Sequence, residues 1–135
     1  VPSTTIDAYF KQLKSLQLEP NLSKALSIVY TPLHGTGAKP TRRALTKWGY
    51  TRLHIVPEEE KTDGHFPTVK KPNPEEPMAL ELTIKQTAEL KADIVLATVP
   101  DSDRLALVVR DPEAARRIID RIYFINTKTP RHFER

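Results

Sequence analysis

Apolar side chains recur along this chain at two different spacings, and each change of spacing marks a new element. Over 6–18, IDAYFKQLKSLQL sets Ile6, Phe10, Leu13 and Leu16 or Gln17 three or four residues apart, which is one face of a helix. The Ser/Thr-rich start before it supplies residues that can cap. SIVYTPL is a short apolar, β-branched run ended by Pro32 and reads as a strand. HGTGAKPTRRALTKWGY then turns on glycine and continues as an amphipathic helix to a stop at Gly49. TRLHIVP repeats the strand signal, and a Pro-rich, polar connection follows over roughly 57–77. MALELTIKQTAELKA predicts a helix with Leu80, Ile84 and Thr87 or Ala88 on one face, and DIVLAT and RLALVVR predict the third and fourth strands. DPEAARRIIDRIYF, with Asp111 and Pro112 in cap and first-turn positions, predicts a final helix. INTKTPRHFER carries no clear pattern.

Strands that alternate with helices favour an α/β layer fold with a mainly parallel sheet, because right-handed crossovers put helices on both faces. The last strand pair departs from that rule. Only Val99 to Asp103 separate the third and fourth strands, too short for a parallel crossover, so these two are expected to pair antiparallel. Their connection then lies at the carboxyl end of the third strand, where ligands of open α/β sheets bind.

At 135 residues the chain is one domain by length, with room for a single core. The absence of cysteine excludes disulfides and thiolate metal sites and suits a reducing compartment, so a cytoplasmic location is expected. No run approaches the ~18 apolar residues of a membrane helix, and VPSTTIDAYF lacks the layout of a signal peptide. A soluble protein with no membrane partner is the expectation. The net charge of +4 favours anionic partners. Acids are interspersed with the bases, however, as in PEEEK and DPEAARRIIDR. Without a one-signed stripe, nucleic acid is not an expected partner.

The candidate chemistry lies between the last two strands, where TVPDSDR sets Asp101 and Asp103 two residues apart with Arg104 next. Two close carboxylates keep their charge readily only in water, against a cation or under donated hydrogen bonds. Pro100 removes a backbone donor and biases Val99 to an extended conformation, so no helix runs through. If the backbone stays near-extended, positions 99, 101 and 103 project to one side. Asp101 and Asp103 then begin an oxygen-only site for Mg²⁺, and Arg104 adds a fork that can grip a phosphate. The residues leave a second reading open, a solvated turn in which Arg104 pairs an acid.

HGTGAKPT has glycines between a strand and a helix, which invites comparison with phosphate-cradling loops. It lacks the Walker spacing and the third glycine of the dinucleotide fingerprint, which leaves a structural strand-to-helix turn as its first reading. His34, His54 and His65 lie in different segments without paired ligand spacing, and His54 reads as a surface position on a strand. PEEE and NPEEP read as solvated, helix-starting acids, and Trp48 as a core anchor at a helix end.

TVPDSDR resembles the metal-binding loop of the α-D-phosphohexomutases, the phosphoglucomutase and phosphomannomutase family, usually T-D-P-D-A-D-R. YTPLHGTGAK at 30–39, DGHFPTVKKPNPEEP at 63–77 and ADIVLATVPDSDRLALVVR at 92–110 agree in order and spacing, so the resemblance covers about residues 5–111. It implies the second of the family's four domains over 1–111, a three-layer α/β/α unit with a four-stranded mixed sheet whose last strand is antiparallel. A helix and tail over 112–135 stay outside that match. The implied activity is intramolecular phosphoryl transfer on hexose phosphates through a phosphoserine and Mg²⁺.

In that frame Asp101 and Asp103 match the second and third metal-binding aspartates, and Arg104 the arginine beside the phosphate. His34 and Lys39 would line the cleft. Val99 stands where the first aspartate belongs, and a valine cannot ligate a hard cation, so a weakened Mg²⁺ site is expected. No Ser-His neighbourhood resembles the phosphoserine loop, so no catalytic residue is assigned. The chain by itself is expected to be inactive, with hexose phosphate bound only alongside the remaining mutase domains as partners. Two rivals stay open. One is a fragment of a nucleotide-sugar glycosyltransferase, whose D-x-D holds a metal and a diphosphate. The other is a noncatalytic binding or assembly module with a degraded site, which Val99 favours.

Overall fold

The computed structural model describes residues 1–19 and 21–109 and, as backbone, the strand 121–126. The elements run α1 (Ser3–Ser15), β1 (Ile28–Thr31), α2 (Ala38–Lys47), β2 (Leu53–Ile55), the one-turn helix α3 (Pro57–Glu60), a 3-10 turn (Pro77–Leu80), α4 (Glu81–Leu90), β3 (Ile94–Thr98), β4 (Arg104–Val109) and β5 (Arg121–Asn126). The strands form one mixed sheet in the order β2-β1-β3-β4-β5. Beta1 is parallel to both neighbours, with Val29 opposite His54 and Val95, while β3 and β4 pair antiparallel with Leu96 opposite Leu107. The expected four-stranded mixed sheet is therefore present, in the order β2-β1-β3-β4, with its last strand antiparallel where the connection is too short to cross over.

A fifth strand extends it. Arg121–Asn126 pairs antiparallel with β4, Ile125 opposite Leu105 and Ile122 opposite Val108. This corrects the helix expected through Phe124. RIYFIN is β-branched and aromatic, which suits a pleated surface, and β4 offers it an unpaired edge. The first part of that expected helix, 111–120, and the tail 127–135 lie outside the described residues.

Beta1 lies centrally and is buried throughout, as an apolar run in a parallel strand covered on both faces should be. Period-two alternation divides the core. Val29, Val95, Ala97, Ala106 and Val108 pack with Val56, Leu80, Ala92 and Ile84 on the α4 side, whereas Tyr30 and Leu96 pack with Ala38, Ile55 and Leu53 on the α2 side. Each fully buried valine, leucine or isoleucine contributes ~1.5–3 kcal/mol of transfer free energy. The two clusters on opposite faces give the α/β/α layering.

The helices depart from expectation in detail. Alpha1 starts at Ser3 behind Pro2 with no side-chain cap and ends at Ser15, so Leu16 is left exposed. Phe10 is its buried anchor, with Arg43 and Lys47 of α2 over its ring at 5.2 and 5.8 Å. In α4 the buried face carries Thr83 and Thr87 beneath Leu80, while Ala88 is exposed. Trp48 and His54 are half-buried.

Candidate functional site

The hairpin between β3 and β4 closes as a tight reversal. The Ser102 N–H donates to the Val99 carbonyl at 2.8 Å and the Val99 N–H to the Arg104 carbonyl at 3.3 Å. Ser102 takes a left-handed φ of 61°. The short connection expected between antiparallel strands is thus a turn. The backbone over 99–103 does not stay near-extended, the condition under which positions 99, 101 and 103 would share a side, because Pro100 and the short span force the chain to reverse. Positions 99, 101 and 103 accordingly differ in environment: Val99 is 4% exposed, Asp101 is exposed and Asp103 is half-buried. Arg104 opens β4 with its Nε 3.6 Å from Asp103 Oδ1.

The β1–α2 turn is fastened behind this reversal. The Pro100 carbonyl accepts the Thr36 N–H at 2.9 Å and the Thr36 hydroxyl at 3.2 Å. A Cβ on Gly35 would lie 2.3 Å from Pro100 Cα, and one on Gly37 would lie 2.3 Å from the Tyr30 hydroxyl and 2.7 Å from Ser102 Oγ. The Tyr30 and Thr98 hydroxyls share a hydrogen bond of 2.9 Å beneath. The glycines of HGTG therefore serve close approach between two loops, the structural reading of that motif.

His34 and Lys39 flank the turn differently. Lys39 is exposed in the first turn of α2. His34 is 2% exposed, and its ring is committed to protein: Nε2 lies 2.8 Å from the Thr68 hydroxyl and Nδ1 3.3 Å from the Lys61 carbonyl. The hydroxyl of Thr68 in turn donates to Glu59 at 2.9 Å, and that of Thr31 donates to the other carboxylate oxygen of Glu59. Sequence reading missed Glu59, Thr31 and Thr68, because PEEE looks like a solvated acidic start. The usable signal is that PEEE directly follows a strand. Pro57 at the first helical position turns the chain at once, which carries Glu59 back against the end of β1.

Two hard oxygen donors suit Mg²⁺ when water and phosphate complete its shell, and Asp101 and Asp103 are of that kind. Val99 adds no oxygen. Among the described residues no group of three or more His, Cys, Asp or Glu converges as a metal cage, and no helix is long and apolar enough to cross a membrane.

Fold and hairpin together define an α/β/α unit with an acidic, arginine-flanked loop at the carboxyl end of a central strand. Residues 7–113 match the profile of the phosphoglucomutase/phosphomannomutase alpha/beta/alpha domain II, and the chain belongs to that family. A probable phosphomannomutase of Haemophilus influenzae is 42% identical over 108 residues, 80% of this chain and 22% of that protein. A probable phosphoribomutase of Schizosaccharomyces pombe is 42% identical over 113 residues, covering 81% of this chain and 19% of that one. A crystal structure of a phosphoglucomutase/phosphomannomutase family protein from Burkholderia thailandensis superposes with a TM-score of 0.53 at 27% identity, over 62% of this chain and 18% of that one. The chain thus spans about a fifth of the length of the relatives it matches.

Proposed function

We propose that this chain is the metal-loop domain of a phosphohexomutase, in which Asp101 and Asp103 hold Mg²⁺ and Arg104 steadies a phosphate beside it. The observation that carries this reading is that both acids and the arginine sit on one tight reversal at the carboxyl end of β3, backed by the Gly35 turn. Bound Mg²⁺ would neutralise charge on a transferring phosphoryl group. Arg104 balances Asp103 at rest and can offer its planar fork to a phosphate. Lys39, exposed on α2, adds positive charge near the same end of the sheet. The phosphoserine and most of the hexose phosphate contacts would come from the remaining mutase domains, so the chain by itself is inactive in this reading, in keeping with a cytoplasmic mutase assembled from several domains.

Val99, buried and apolar, favours a second reading, a noncatalytic module that kept the fold and lost the metal. Calorimetric titration with Mg²⁺ separates them. The mutase reading expects weak binding in the unaltered chain, loss of it in Asp101→Asn and Asp103→Asn, and a gain of at least about tenfold in Val99→Asp, since added ligand charge raises affinity. Silence from the unaltered chain together with no gain in Val99→Asp would leave only the module.

A further inference from the structure

We infer that Glu59 fixes a hydrogen on Nε2 of His34 through the Thr68 hydroxyl, so that the three side chains act as a positioning latch between the 61–68 segment and the turn behind the acidic hairpin. The bearing of this latch on the metal loop rests on the proposed function. The position of the hydrogen does not.

Glu59 is 0% exposed. None of the ion pairs among the described residues includes it, so its carboxylate is satisfied by donated hydrogen bonds, as a buried acid requires. Thr31 and Thr68 supply them at 2.5 and 2.9 Å. A hydroxyl has one hydrogen to give. Thr68 gives its hydrogen to Glu59, so towards His34 Nε2, 2.8 Å away, it can only accept, and Nε2 must carry a hydrogen. The alternative partner, the Lys61 carbonyl, stands further off at 3.3 Å from Nδ1.

The backbone of His34 is clamped by the same segments. Its N–H donates to the Glu59 carbonyl at 3.0 Å, and its own carbonyl accepts the Asp63 N–H at 3.0 Å. Leu33 and His34 both hold left-handed φ values, 46° and 60°, a conformation non-glycine residues keep only when surroundings enforce it. The Thr31 hydroxyl that binds Glu59 also accepts the Leu33 N–H at 2.9 Å. One residue further on, Gly35 meets Pro100. The charged and titratable neighbours on the clasped segment are Lys61, Asp63 and His65. Asp63 is engaged locally, its Oδ1 accepting the His65 N–H at 2.9 Å.

The test is long-range ¹H–¹⁵N correlation on the ¹⁵N-labelled chain, which reads the ring nitrogen that bears hydrogen. The expected signal is a slowly exchanging Nε2-bound hydrogen on His34. In Glu59→Gln only one of the two hydroxyls can keep an acceptor. Thr31, whose oxygen already accepts the Leu33 N–H, keeps the amide oxygen, so the NH₂ donates to Thr68, whose hydroxyl hydrogen then turns to His34 and the ring hydrogen moves to Nδ1. A bare Nε2 in the unaltered chain, or a hydrogen that stays on Nε2 alone in a folded Glu59→Gln, overturns the inference. Thr68→Val keeps the question decidable if Glu59→Gln does not fold, since it removes the acceptor and must abolish slow exchange at Nε2. Unchanged exchange in that variant also overturns the inference. None of these readings needs metal, so a latch that passes while Mg²⁺ titration is silent counts against the mutase reading only.

Discussion

At the scale of single residues, the site depends on one missing atom and one misplaced side chain. Gly35 has no Cβ, and the space where one would sit is taken by Pro100 backbone at 2.3 Å, which cannot swing aside as a flexible side chain would. Gly35→Ala is therefore expected to destabilise by about 1–3 kcal/mol, as overpacking does, and to loosen Pro100 and the acids that follow it. Denaturant unfolding measures the first effect, and an unchanged midpoint would remove Gly35 from this role. Val99 is the misplaced side chain. As a buried apolar group at 4% exposure it serves the core, so Val99→Asp should lower stability, even though the proposed function expects it to raise Mg²⁺ affinity. That Asp101, Asp103 and Arg104 share the short connection between β3 and β4 was legible in the sequence, because charge between two apolar runs stands out. Glu59 was not, since one acid of PEEE cannot be told from its neighbours until α3 turns it inward.

At the scale of elements, α1 is held to α2 by a mixed clamp whose parts differ in strength. Asp7 accepts hydrogen bonds from Arg43 at 2.6 Å and Lys47 at 2.8 Å. The bond from Lys47 first, and that from Arg43 next, hold the Asp7 carboxyl below its ordinary value of 3.8. A carboxyl whose folded pKa is depressed stabilises while ionised, so its contribution is full above 3.8 and fades as pH falls through the lower folded value. Asp7→Asn should thus lower Tm slightly at pH 7 and match the unaltered chain in strong acid. With its side chain 52% exposed, the effect is small and shrinks further in salt. Phe10, 5% exposed, matters more. Phe10→Ala is expected to cost about 3 kcal/mol at any pH, and thermal scans of both variants across pH distinguish charge from packing. Element type was legible where periodicity ran long, as in α1, α2 and α4. At α3 the helix-starting signal of PEEE was legible but the burial of Glu59 was not, and element type failed at β5, where IIDRIYF satisfies helical and extended spacing alike and only the open edge of β4 decides.

At the scale of the whole molecule, the sheet combines a covered centre with a margin added late in the chain. Beta1 and β3 carry the core on both faces through Val29, Tyr30, Val95 and Leu96, and the contacts of β4 divide between β3 and β5. The boundary at 111, which follows from the family resemblance, falls between β4 and β5. A chain shortened to 1–111 should therefore fold, because the members of both clusters among the described residues lie before the cut, but it should expose the outer edge of β4. Hydrogen exchange is expected to show unchanged protection in β1 and β3 and lost protection at those β4 amides that face β5. RLALVV is an apolar edge with Arg104 as its sole charge, which invites pairing with a second copy, so the shortened chain should also associate as its concentration rises. Collapse of protection across β1 and β3 would mean that β5 belongs to the folding core, and the domain would then have to be counted as five strands rather than four with an addition.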